Sequence, residues 1–235
     1  MDITRLLDDI IRNTSLINPG DIPNIDLYMD QVTTFMDKHL HSVKRFDDDK
    51  ALTKTMINNY AKNDLLPSPE KKKYTKDHLL LLTFIYYYKN VLSISDIKKL
   101  LQPITDKYFH STSDTELIDI YNEIDSLLEG IGNAVADDIE KKAEIASSSF
   151  ENIEGKDSKY LQLFSLVSML CFDIYLKKQL VEAIVDTLDE PISKSDKEKL
   201  AKKEADERER LARKEREERE KQLRKEREKR EKFKK

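Results

Sequence analysis

Apolar residues recur every three or four positions through most of the chain, which predicts helices. Residues 1–22 start amphipathic (Ile3, Leu6, Leu7, Ile10, Ile11) and stop near Asn18-Pro19-Gly20. Ile25, Tyr28, Met29, Val32, Phe35, Met36 and Leu40 form one stripe, which predicts a helix over Ile25–Leu40. A second, short helix is expected over 51–62. Thr53 is its N-cap, Met56, Ile57 and Tyr60 face inward, and Lys54, Thr55, Asn58, Asn59 and Lys62 face outward. Leu65-Leu66-Pro67-Ser68-Pro69 ends it, because two prolines so close cannot continue a helix.

Thr75 is expected to cap a helix over His78–Lys89 that is apolar on most sides and so central. Ser93-Ile94-Ser95-Asp96 resembles a capping box. It opens a helix that Pro103 should end. Residues 113–150 have helical spacing with a possible break at Gly130–Gly132, and 158–188 read as a long helix. Apolar nearly all round in its first half, that helix is expected to be buried or to lie at a subunit interface. Its most apolar stretch, Tyr160–Leu176, is interrupted by Gln162 and Asp173, and a span needs about 20 apolar residues, so no membrane segment is expected.

Composition narrows the chemistry. Only 4 of 235 residues are glycine, too few for a turn-rich sheet fold or a Gly-cradled phosphate site. An all-α fold is therefore expected. One cysteine, Cys171, excludes an internal disulfide framework and is read as a core thiol; with 4 histidines it makes a zinc site improbable. His39 and His41 are read as a surface pair. The start MDITRLLDDIIRN lacks the basic and apolar regions of a signal peptide, so a cytoplasmic location is expected. No catalytic motif occurs, so neither an enzyme nor a cofactor is expected.

Charge is uneven. The first 195 residues carry a net −10, and Asp196–Lys235 carries +6. In that tail 32 of 40 residues are charged, with opposite signs three or four apart and too few large apolar residues for a heptad seam. It is expected to be a solvated helix or a spacer. Within the acidic body, Lys50–His78 is locally +4. A basic window in an acidic chain suggests a polyanion partner. Amides on Asn58 and Asn59 suit base edges, while the Lys71–Lys73 run suits phosphates.

The segment Leu52–Leu101 resembles the winged helix-turn-helix domain of MerR-type transcription regulators. Tyr60 takes the position that closes the family's recognition helix, followed by Leu65, Leu66 and Pro67. Lys73-Tyr74-Thr75 fills the end of the wing, and Leu92-Ser93-Ile94-Ser95-Asp96-Ile97 the later capped helix. Asp64 stands where the family has glycine, and the family's two arginines fall at Thr55 and Asn58. The wording Thr-Lys-Thr-Met-Ile-Asn-Asn-Tyr and Lys-Lys-Tyr-Thr is similar to that of uncharacterised bacterial proteins regarded as MerR-like. This resemblance covers about residues 24–102. It implies a dimeric DNA-binding regulator that lays residues 51–76 on double-stranded DNA. Thr53, Lys54, Thr55, Asn58, Asn59, Lys62, Lys71, Lys72 and Lys73 would be the contacts. The expected organisation is an extension (1–23), the winged domain (24–102), a helical region that is the candidate for dimerisation (103–192) and the charged tail (193–235). A helical protein-interaction adaptor that binds no nucleic acid is the alternative.

Overall fold

Each apolar stripe needs a surface to cover it, and the most demanding one sets the fold. In the computed structural model, which describes residues 3–188 apart from 47, 129 and 154, eight helices account for most of the chain. They are α1 (Ile3–Asn13), α2 (Met29–His39), α3 (Lys54–Lys62), α4 (Lys76–Tyr88), α5 (Ile94–Tyr108), α6 (Leu117–Leu128), α7 (Ile131–Ser147) and α8 (Lys156–Thr187). Two short strands, β1 (Leu27–Tyr28) and β2 (Lys73–Tyr74), pair antiparallel with Leu27 opposite Tyr74 and Tyr28 opposite Lys73. The charged tail, and Pro191 expected to stop α8, lie outside the described residues.

Helix α4 is the centre. Nine consecutive residues, His78–Tyr86, are buried. A helix buried at every angle needs cover on all sides, and β2 and α6 both pack on it. The fully buried Thr83 hydroxyl donates to the Leu79 carbonyl one turn back, 2.9 Å away. Buried side chains from Leu16 to Tyr121 join this helix in one core, which also takes in Val185 of α8.

Three expectations are corrected. The helix drawn over Ile25–Leu40 begins only at Met29, because Leu27 and Tyr28 spend their backbone groups on β2. Ile25 is left exposed. Helix α5 does not end at Pro103 but runs through it to Tyr108. Ile97 and Leu101 are buried, and Ile104 and Tyr108 pack on the same core, so tertiary burial outweighs the missing proline N–H. Helix α8, expected to be buried or to lie at a subunit interface, is not buried within the described chain. Only Leu166 and Val185 are buried along it, and Cys171, read as a core thiol, is exposed. By length and composition α8 would also suffice to cross a membrane. The break expected near Gly130 is present, with Gly130 at φ 84 before the first turn of α7.

Residues 40–53 join α2 to α3, a longer connection than the three or four residues usual between paired helices of this kind. Ion pairing and carbonyl contacts hold it. Lys44 Nζ lies 2.6 Å from Asp37 Oδ1 with its side chain almost wholly buried. Lys89 Nζ donates to the Ala51 carbonyl at 2.9 Å and sits 4.7 Å from the Tyr86 ring centroid. The Lys44 hydrogen bond holds the Asp37 carboxyl below its ordinary range, although partial burial opposes it. Asp37→Ala leaves the Lys44 ammonium buried without its counter-ion and is expected to cost about 1–3 kcal/mol in urea unfolding at neutral pH. The cost should shrink as pH falls through the carboxyl's range, because protonation removes the pair from the native protein as well.

Candidate nucleic-acid interface

Helix α3 has a dry side and a wet side. Ile57 and Tyr60 are buried and Met56 is half-buried. Lys54, Thr55, Asn58, Asn59 and Lys62 are exposed. At about 100° per residue these five span an arc of roughly 140°, so they share one face. Thr53 caps the helix as expected, its Oγ1 accepting from the Met56 amide at 3.2 Å. That hydroxyl is half-buried and positions the helix. Among the described residues, the side chains of Thr55, Asn58, Asn59 and Lys62 have no polar partner. Lys54 forms an exposed ion pair with Asp30 in the first turn of α2.

The end of α3 explains how the chain leaves it. Asp64 has φ 54, the left-handed region where glycine is the usual residue. The Leu65 amide donates to the Tyr60 carbonyl at 2.9 Å, and the Asp64 amide to the Ala61 carbonyl at 3.3 Å. This pair of bonds is the Schellman cap. Leu65 and Leu66 are then buried beside Tyr60. Lys98 of α5 completes the cap, donating to the Asn63 carbonyl at 3.0 Å and lying 3.4 Å from Asp64 Oδ2. Nothing in the local sequence signals Lys98, since it arrives from a distant helix.

The lysine run forms a two-residue hairpin turn. The Lys73 amide donates to the Glu70 carbonyl at 2.8 Å. Lys71 and Lys72, at φ 49 and 64, occupy the two turn positions that normally take Asn and Gly. Left-handed backbone costs a lysine about 1–2 kcal/mol, so this turn puts two exposed ammonium groups where the chain would more easily place glycine. Neither has a partner among the described residues. Lys73 differs. It is half-buried in β2, with Nζ 5.8 Å from the Tyr28 ring centroid.

Residues Tyr28–Asp30 join the two halves of the site. Tyr28 pairs with Lys73, and Asp30 pairs with Lys54. Cα atoms two residues apart lie at most about 7.6 Å from each other. The base of the lysine hairpin and the first turn of α3 therefore flank one short stretch. Exposed ion pairs contribute only about 0.2–1 kcal/mol, so an incoming phosphate can take Lys54 from Asp30.

A buried histidine fixes the far side of β2. His78 Nδ1 accepts from the Thr75 amide at 3.0 Å, filling the place of the glutamate in a capping box. Thr75 Oγ1 lies 2.9 Å from both His78 Nδ1 and His110 Nε2. The rings of Tyr74 and Phe109 meet His78 edge-on. Burial pushes its pKa down to about 4, and the neighbouring His110 adds to the shift, against weaker opposing effects of the Pro67 backbone and Asp26.

Residues 17–124 match the family model of a domain of unknown function, DUF1836. The match takes in α2 to α5, most of α6 and both strands, and it stops short of α7 and α8. No curated protein and no solved structure matches the chain.

Two predictions follow from the caps. Asp64→Gly relieves left-handed backbone and is expected to raise stability by up to about 1 kcal/mol, whereas Asp64→Val should lower it by about 1–2 kcal/mol, both read by thermal unfolding. For His78, the unfolded chain binds a proton near pH 6.5 and the native protein only near 4. Native stability should therefore fall as pH drops across that window and level off below it. His78→Gln keeps an acceptor for the Thr75 amide but does not titrate. Its urea midpoint should change less than the parent's between pH 7 and pH 4.5.

Proposed function

We propose that the protein is a DNA-binding transcription regulator of MerR-like winged helix-turn-helix type, acting as a dimer in the cytoplasm of a bacterium. Residues 51–76 contact double-stranded DNA. One observation carries this reading: an exposed amide- and lysine-bearing face on α3 lies beside a hairpin that presents Lys71 and Lys72 without partners among the described residues. Asn58 and Asn59 reach base edges in the major groove, with Thr55 beside them. Lys54, Lys62, Lys71 and Lys72 hold phosphates, and Lys73 secures the wing against Tyr28. Thr53 fixes the start of the reading helix. Asp64 supports the resemblance, since it adopts the left-handed backbone that the family's glycine would take.

The rival reading, a helical protein-interaction adaptor, is favoured by the apolar surface that α8 leaves uncovered. Purification with a stoichiometric protein partner that survives nuclease and high salt would support it.

Gel-shift titration of the full chain over a range of salt tests the DNA reading. Lys62, Lys71 and Lys72 are exposed and have no partner among the described residues, so changing them to alanine should leave the fold intact. The triple variant should bind more weakly on every sequence, with a log K against log salt slope reduced by about 0.9 per lost phosphate contact. Asn58→Ala should cost about 1–3 kcal/mol on the preferred sequence and little elsewhere. Unchanged affinity and slope in the triple variant would remove the reading.

A further inference from the structure

Helix α8 packs one face on α7 and leaves the opposite face in water. On the packed side Leu166 is buried, Gln162 Nε2 donates to the Ser147 carbonyl at 2.8 Å, and Asp173 lies 3.2 Å from Lys142 Nζ. The polar residues in the middle of α8 are thus turned toward α7. Between Tyr160 and Tyr175 the nine exposed residues fall within about 180° of arc, from Leu163 at one edge to Phe172 at the other. None of the nine is charged, and Ser168 and the two tyrosine hydroxyls supply their oxygen-bearing groups. At 1.5 Å per residue the band is about 24 Å long. It continues onto the end of α7 and the turn beyond, where Ile145 and Phe150 line an open hollow with Phe164 and Met169.

We infer that this band rests on the surface of a lipid bilayer bearing anionic headgroups, with α8 parallel to the membrane plane. Three features favour a bilayer over another helix. The first is width. A helix that pairs with one other helix shows a narrow stripe bordered by charged positions, whereas here half the circumference is uncharged and the apolar surface extends onto a second element. A broad apolar platform suits a flat partner. The second is hydropathy. Helix α8 is long and apolar enough to cross a membrane, and it is not the core helix of a soluble fold, since almost none of its apolar window is buried. The third is the placement of charge. Lys156 and Lys159 stand before the band and Lys177 and Lys178 after it, all exposed, and Asp157 is the one acid between Lys156 and Lys178 besides Asp173 on the α7 side. Lysine stems lie along apolar surface while their ammonium groups reach headgroups. Lys177 and Lys178 hold exposed pairs with Asp173 and Glu182, which a lipid phosphate can replace. The helix lies on the bilayer rather than across it, because crossing would carry the Lys142–Asp173 pair and Gln162 into hydrocarbon. This goes beyond the regulator reading and does not rest on it, since no residue of α3 or the lysine hairpin takes part.

Flotation of the full chain, without DNA, on vesicles of phosphatidylcholine alone or mixed equally with phosphatidylglycerol tests the inference. The parent should float with both and more strongly with the anionic mixture. Phe164→Glu with Ile174→Glu should lower partitioning onto both by roughly tenfold or more, because two apolar side chains leave the contact. Helical circular dichroism should stay unchanged, since both side chains are exposed. Cys171, the single cysteine, is exposed on the band between these two positions. An environment-sensitive fluorophore attached to it should shift to the blue when vesicles are added to the parent, a readout that needs no variant to fold. The lysine hairpin can also attract anionic lipid, so flotation confined to the anionic mixture with no shift at Cys171 would overturn the inference. A parent that does not float, or floats equally with both compositions, would overturn it, as would a double variant that floats like the parent. Sedimentation equilibrium without lipid supplies the remaining outcome: self-association of the parent that the double variant loses would assign the band to a second copy and overturn the inference.

Discussion

Helix α4 buries a side chain at every angle, and that single constraint organises the described protein. Nine consecutive buried residues cannot be covered by one neighbour, so elements far apart in sequence converge on the helix. Full burial of each large apolar side chain contributes about 1.5–3 kcal/mol, which is more than any surface pairing in the molecule offers. The weaker features fit around that core. A proline is tolerated inside α5, a long connector is pinned by a buried ammonium, and Asp64 is held left-handed at a helix end.

The candidate interface derives its rigidity from the same source. Tyr74 is buried against the start of α4, and His78 caps that helix while its ring packs on Tyr74. β2 is thereby fixed, and with it the lysine turn and its pairing to β1. On the other side, Ile57 and Tyr60 seat α3 in the core, which leaves only its polar face in water. The two parts of the site are thus anchored from beneath and are joined through Tyr28–Asp30. The strained turn at Lys71–Lys72 sits at the tip of this arrangement. Its cost brings no burial in the described protein, and the proposed DNA contact is the use we assign to it.

Local signals proved legible where a cap or a stripe decided the outcome. Thr53, Thr75 and Ser93 each begin a helix, and the inward face of α3 follows its apolar spacing. Other features depend on partners distant in sequence. Leu27 and Tyr28 continue a helical stripe on paper, but Tyr74 and Lys73 draw them into a strand. Pro103 is a valid stop signal by itself, overridden because Ile104 and Tyr108 have a core to pack on. The apolar character of α8 was plain, whereas its exposure was not, since burial depends on how many neighbours the fold supplies. Within the site, the outward residues of α3 could be read from spacing. The Lys54–Asp30 pair and the Lys98 cap could not, because each joins separate helices.

The proposed function requires α3 and the lysine hairpin to act together on duplex DNA as part of a two-subunit protein. Selection of bound sequences from a random duplex pool with the full chain addresses this most directly. Enrichment of one short motif repeated in inverted orientation is the expected result, because two copies of one reading helix would meet two half-sites. Recovery of a pool with no enriched sequence, at a salt concentration where control regulators still select theirs, would contradict it.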